Sequence, residues 1–427
     1  MGTKIQRRER RRLSLFVVVA WLLVVPFGGV AHAADGDLDG AFGGDGKVTT
    51  MFPGGAYAQA VAIQPDGKIV AVGAAAGGSA SGEFALARYD SDGTLDTTFG
   101  ADGRVTTAIS GDGGGEARAV AIQPDGKIVA AGTANREMFA LARYDSDGTL
   151  DATFGSGGIV TTDLTSGDDI AYGMAIQSDG KIVAAGSATP GSVWRPAWAL
   201  ARYDSDGALD TTFGGDGTVV TKFGVWGVAC AVTLQANGKI VAVGTNGRGF
   251  ALARYLPDGS LDTSFGNEGK VGRSFDGGWA NAVALQPDGK IVAGGDYEIF
   301  FSAVARYTAH GRLDPTFGGD GRVTTDVGAS EEAVVGLVIQ ANGKIVAAGR
   351  VGPHEYGETA VWRFALMRYR ANGVLDPGWG SDGKVITKFK GGAGASGAAV
   401  QADGKIVVVG GAGESNAEAF ALARYLA

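Results

Sequence analysis

Few residues in this chain could carry covalent or metal chemistry. Its 427 residues include three histidines and one cysteine, and His32 lies in an apolar N-terminal stretch, which leaves His310, His354 and Cys230. So small a supply argues against zinc or copper sites, haem ligation and histidine-based nucleophile triads. A single cysteine also rules out an intrachain disulfide, and Cys230 lies in an apolar run where it reads as a buried, inert thiol. Asp168-Asp169 and Glu331-Glu332 are adjacent acids on loops, a pairing that by itself carries no acid/base geometry. Asp-Ser-Asp-Gly at 90–93, 145–148 and 204–207 begins like a calcium loop but lacks the third ligand and the distal glutamate. A hairpin turn accounts for it better. Gly-Gly-Asp-Gly at 43–46, 214–217 and 318–321 is followed by no helix, so it makes no phosphate cradle. No catalytic residue, metal site or cofactor is assigned; His354 is the one residue to test for catalysis.

Residues suited to binding stand elsewhere. Trp194, Arg195, Trp198, Trp226, Trp279, Tyr297, His354, Tyr356 and Trp362 all fall where the chain departs from its own repeat. Planar aromatics on a rigid face suit sugar rings and protein surfaces alike. Each one taken singly could instead cap the end of a structural unit and bury its own loop.

The elements that must position them are legible in Gln64–Gly73 and the apolar run before it. Val61-Ala62-Ile63 and Ile69–Val72 flank Pro65-Asp66-Gly67, the signature of a three-residue hairpin loop with a type I turn and a glycine bulge. Gln64 then faces Lys68, and Ile63 faces Ile69. Both faces of the hairpin are apolar, so the copies must be covered by stacking on one another. The turn glycine recurs at Gly67, Gly126, Gly180, Gly238, Gly289, Gly343 and Gly404, at intervals of 51 to 61 residues. That period matches a propeller blade. Each unit continues with an apolar run ending in Arg-Tyr, a second turn, Leu-Asp-x-x-Phe-Gly and Gly-x-Val-Thr-Thr, about four strands in all. Five strands result if Leu95–Phe99 and Arg104–Thr107 are separate.

Arg88 precedes Asp96 by eight residues, and the offset recurs in Arg143/Asp151, Arg202/Asp210, Arg254/Asp262, Arg306/Asp314 and Arg368/Asp376. A three-residue loop places such a pair directly across the hairpin. Arg424 has no following aspartate, and Asp39 has no arginine eight residues before it. The expected fold is therefore all-β: a seven-bladed β-propeller of four-stranded blades over residues 34–427, closed by pairing of the N-terminal strand in the last blade. The Pro-Asp-Gly and Ser-Asp-Gly turns would share one face. The aromatic-bearing loops would share the other, the usual place for recognition.

These motifs, Gln-x-Asp/Asn-Gly-Lys-Ile-Val, Ala-Leu-Ala-Arg-Tyr and Leu-Asp-x-x-Phe-Gly, resemble those of the delta-60 repeat family of bacterial exported proteins, in seven copies across the chain after its leader. The resemblance implies a β-propeller and export, and brings no active site with it.

Residues 1–33 read as a secretory signal peptide: a basic stretch from Lys4 to Arg12, an apolar core Leu13–Val30, and Ala31-His32-Ala33 at the cleavage site. Its removal takes away six Lys/Arg and one Glu, and the net charge of −8 becomes more negative by five. An acidic exported chain is a poor partner for nucleic acid, and no membrane association is expected after cleavage. The expected function is a secreted, monomeric binding or interaction scaffold for a carbohydrate or protein ligand. The competing expectation is an exported lyase or hydrolase with its site at the mouth of the central channel. Converging carboxylates at the channel would favour the enzyme; a dry channel lined by alanines such as Ala60 and Ala62 would favour the scaffold.

Overall fold

The computed structural model describes residues 34–427 apart from 77–81, 111–113, 136, 192–194, 299, 330, 353–360 and 414–417, and leaves out the side chain of Arg273. In blade 1 the Gln64 N–H donates to the Lys68 carbonyl at 2.8 Å, the Gly67 N–H donates to the Gln64 carbonyl at 2.9 Å, and Gly67 takes φ +88°. Proline, aspartate and glycine thus each occupy the turn position they suit. The hairpin joins strand A (Ala56–Ile63) to strand B (Ile69–Ala75); strand C (Glu83–Tyr89) and the outer strand D (Arg104–Thr107) complete the sheet. Seven four-stranded antiparallel sheets of this order make up the described chain. Leu95 forms only an isolated bridge to Tyr89, so the Leu-Asp-x-x-Phe-Gly stretch adds no fifth strand.

Packing explains the Phe-Ala-Leu-Ala pattern. Phe84 and Leu86 of strand C lie in one inter-blade layer against Ala140 and Ala142 of the next blade, while Ala85 and Ala87 lie in the other against Phe420 and Leu422. Large side chains of one blade thus meet alanines of its neighbour, which lets adjacent sheets interdigitate without voids. The C-strand tyrosine ties the layers at the outer rim. Tyr89, Tyr144 and Tyr425 donate to Thr50, Thr107 and Thr387 of the preceding blade's strand D at 2.8–2.9 Å.

The ring closes through the N-terminus. Lys47–Met51 pairs with Ala419–Tyr425 as the outer strand of blade 7, and Leu38 bridges Tyr425. Arg424 donates to Asp39 through Nε at 2.9 Å, and its Nη2 lies 2.8 Å from the same carboxylate. In the other blades the pair is local, as in Arg88 Nε to Asp96 Oδ2 at 2.7 Å. Each guanidinium also stacks on the Phe or Trp of its own motif, such as Phe99 at 4.6 Å. Most reach the turn of the next blade, as Arg88 does at the Ser146 carbonyl.

The lysines of the inner turns, whose place on exposed turns suggests a solvated ring, are paired instead. Lys68, Lys127, Lys181, Lys239, Lys290, Lys344 and Lys405 each lie 2.7–3.4 Å from the aspartate of this pair. The aspartates accept so many bonds that their acidity changes. Burial alone would raise the Asp96 carboxyl, but hydrogen bonds from Thr98 and Lys68 and the charge of Arg88 outweigh it and hold it well below the usual range. Asp39, Asp151, Asp210, Asp262, Asp314 and Asp376 shift the same way. A lowered folded-state pKa adds stability that is fully present above the ordinary aspartate value of about 4 and is lost as pH falls through it toward the folded value. The urea midpoint is therefore expected to hold steady from pH 7 to 5 and to fall steeply below pH 4. A midpoint unchanged at pH 3 would contradict this.

Candidate ligand site at the channel mouth

Strand A carries one residue more than its partner in every blade. The register with strand B slips between Ala58 and Ala60, and at the equivalent place in the other six blades. A bulge of this kind turns the extra side chain out of the ladder. The seven extra residues are Gln59, Arg118, Tyr172, Cys230, Asn281, Val335 and Ser396, and all line one cavity of about 550 Å³ along the central channel. Opposite each bulge, strand B has a glycine: Gly73, Gly132, Gly186, Gly244, Gly295, Gly349 or Gly410. A Cβ there would fall inside contact distance of a strand A carbonyl, for example that of Tyr57 or Val228. The residue after the bulge is Ala60, Ala119, Gly173, Ala231, Ala282, Gly336 or Gly397. A Cβ on Gly173 would lie 3.0 Å from Ala231 Cα, so only small residues fit where inner strands meet. Constant small residues therefore frame a position that is different in every blade.

On one side of the channel, Glu116 accepts from Gln59 Nε2 at 2.9 Å and from Arg118 Nη2 at 2.6 Å, and the Arg118 guanidinium lies 5.0 Å from the Tyr172 ring. Burial raises the Tyr172 phenol. Cys230 lies at the bulge within the strand Val228–Leu234 and is largely buried; burial, and then the charge of Asp296, push its thiol up to about 12. On the other side Asn281 Nδ2 donates to Asp296 Oδ1 and to the Val334 carbonyl, each at 3.2 Å. Burial raises the Asp296 carboxyl, and the Asn281 bond only partly offsets this.

A cleft of about 350 Å³ opens from this side between blades 5 and 6, lined by Trp279, Asn281, Asp296, Glu331, Glu332, Arg350 and Trp362 among others. Trp279, Asn281 and Arg350 line the channel as well. The Trp362 ring covers Gly352 and lies 5.4 Å from the Arg350 guanidinium. Trp226 packs on Gly247, with its ring 5.6 Å from that of Trp279.

Of the aromatic set, the structure therefore gathers Trp226, Trp279 and Trp362 at the mouth. Trp198 is fully enclosed, with its Nε1–H on the Thr245 carbonyl at 2.8 Å, and presents no surface to a ligand. It fills the layer between blades 3 and 4, at the place where blades 1, 2, 4, 6 and 7 have a phenylalanine and blade 5 has Ser302. Tyr297 packs between Phe275 and Phe301. Arg195 is exposed beside strand C of blade 3. Trp194, His354 and Tyr356 lie outside the described residues.

One acid of each adjacent pair resolves into scaffold. Asp169 accepts from Leu164 N, Thr165 N and Thr165 Oγ1 at 2.7–2.9 Å, and Glu332 accepts from Val327 N at 2.8 Å. Each plugs the connection from strand D to the next strand A. Gln59, Glu116, Arg118, Tyr172, Asn281, Asp296 and Arg350 were not expected at the site. A seven-copy alignment of strand A holds the signal: one variable column between a column of alanines, broken only by Val334, and a column of Ala or Gly.

A family model described as "Domain of unknown function (DUF5122) beta-propeller" matches residues 64–99, 123–154, 177–213, 235–265, 286–317, 340–378 and 401–427. No curated protein matches the chain. Among solved structures, catalytically inactive virginiamycin B lyase from Staphylococcus aureus with quinupristin is similar at TM-score 0.52 and 11% identity, over 89% of this chain and 99% of that one. An unknown-function protein from Dyadobacter fermentans gives TM-score 0.43 at 12% identity, over 89% and 98%. The extracellular domain of a one-component system of B. thetaiotaomicron gives 0.44 at 11%, and this chain spans 39% of its length. At 11% identity the likeness to the lyase is one of fold.

Proposed function

From the premise that the chain belongs to the DUF5122 β-propeller family, we propose that it is an exported, monomeric binding protein that holds a ligand at the variable-loop mouth of its channel. One observation carries this reading: the bulge residue is different in all seven blades, inside a frame of small residues that hardly changes. A position that served only the fold would be as uniform as the glycine opposite it. The cleft that adjoins the channel adds half-buried Trp279 and Trp362, the Arg350 guanidinium and carboxylates, the usual lining of a binding site. Export is supported by the basic, apolar and small-x-small order of residues 1–33 and by the resemblance to delta-60 repeats.

The test levels the ring. Gln59, Arg118, Tyr172 and Asn281 are all changed to serine, the residue blade 7 carries at Ser396, and thermal shifts of parent and variant are compared across a library of saccharides, peptides and metabolites. A ligand at a hundred times its Kd adds about 2.7 kcal/mol. At least one compound is expected to stabilise the parent and not the levelled chain; identical profiles would remove the reading.

The enzyme alternative rests on Asp296, a half-buried carboxyl held toward its protonated form in a cleft. If it acts as a general acid, Asp296→Asn abolishes turnover of a bound compound while leaving its binding intact.

A further inference from the structure

The blades of this ring serve as controls for one another. Immediately after the strand B glycine the seven blades carry Ala74, Thr133, Ser187, Thr245, Asp296, Arg350 and Gly411. Five are small or hydroxylated, so the fold asks for nothing larger there. Asp296 and Arg350 are the two charged members, they stand in adjacent blades, and both line the cleft between them. Among the described residues the Arg350 side chain forms no ion pair or hydrogen bond; it is exposed and lies against the Trp362 ring. Asp296 is half-buried with Asn281 as its side-chain donor. Trp279 sits directly opposite Asp296 across the strands, and Trp362 covers Gly352, two residues beyond Arg350. Blades 5 and 6 thus depart from the common pattern together, in aromatic surface and in charge.

We infer that this cleft binds a neutral saccharide, with one pyranose ring against Trp279 and Trp362 and its hydroxyls held by Asp296, Asn281 and Arg350. The saccharide assignment rests on the channel-mouth reading and adds its chemical class. Tryptophan faces match the C–H faces of a pyranose. A carboxylate, an amide and a guanidinium within one cleft supply acceptors and donors together, as vicinal hydroxyls require. An anionic ligand would meet Asp296 and Glu331, and a cationic one would meet Arg350. A neutral polyhydroxylated ring meets neither penalty.

The experiment titrates the chain by calorimetry with neutral hexasaccharides of the gluco-, manno-, xylo- and N-acetylglucosamine series. Asp296→Thr and Arg350→Thr are compared with the parent; threonine is what blades 2 and 4 carry at this place, so both variants should fold, and circular dichroism checks this. At least one saccharide is expected to bind the parent, and each variant to bind it on the order of 30-fold more weakly, the worth of a hydrogen bond to a charged group. Arg312→Ser, exposed in the turn after strand C of blade 5, is expected to change the affinity less than threefold. Binding equally tight in the Asp296→Thr/Arg350→Thr double variant would overturn the inference, and so would an absence of binding by every saccharide. If Arg118→Ser alone abolishes binding, or a displayed-peptide library selects ligands that the levelled ring loses, the channel-mouth reading survives and the saccharide cleft does not.

Discussion

Replacing Asp39 by alanine is expected to destabilise the ring by about 3–5 kcal/mol, the cost of leaving a buried charge without its partner. Asp39 holds two cations, Arg424 at 2.8 Å and Lys405 at 3.1 Å. Arg424 is almost wholly buried, so water cannot take the carboxylate's place. The other aspartates do the same work inside a continuous hairpin, where the chain itself keeps the outer strand near after the pair is broken. Asp39 has no such insurance, because nearly the whole chain separates it from Arg424. Its loss should therefore loosen Lys47–Met51, which is only five residues long. Asp210→Ala is the matched control. Hydrogen exchange is expected to accelerate at 47–51 and 419–425 in Asp39→Ala, and to stay protected at 218–221 in Asp210→Ala. Equal protection of 47–51 in Asp39→Ala and in the parent would show that strand pairing alone closes the ring.

The second large effect is expected from Gly244→Ala. Gly244 pairs with Ala229, just before the blade 4 bulge, and a Cβ built on it would collide with the Val228 carbonyl oxygen. The conflict is with backbone, which cannot rotate away as a side chain could. Its φ is not in the left-handed region, so the cause is close approach and not chirality. A penalty of about 3 kcal/mol, the upper end of ordinary overpacking, is expected in urea denaturation. Because the same contact keeps Cys230 turned to the channel, Gly244→Ala should also weaken ligand binding at the mouth. An unchanged midpoint would mean that the inner strand can shed its bulge at no cost.

Much of the fold was legible because its rules are local. Pro65-Asp66-Gly67 specifies its turn, the eight-residue offset specifies the Arg88–Asp96 pair, and the odd arginine and aspartate left over at the two ends point to each other. The site was less legible. Strict alternation along Ala56–Ile63 hides the bulge, and with it the reason Gln59 and Arg118 leave the ladder. Trp198 and Trp279 look alike in sequence as aromatic departures from the repeat, yet one fills a layer and the other faces a cleft. Lys68 looks solvated on a turn but reaches an aspartate more than twenty residues away.

By itself, then, the sequence determined the repeat, the hairpins and the way the ring closes, since each follows from turn chemistry and spacing within a few residues. Only the tertiary structure decided which side chains share the channel. Seven inner strands converge there from points spread along the whole chain. A one-residue slip in each of them reverses which side chain leaves the ladder.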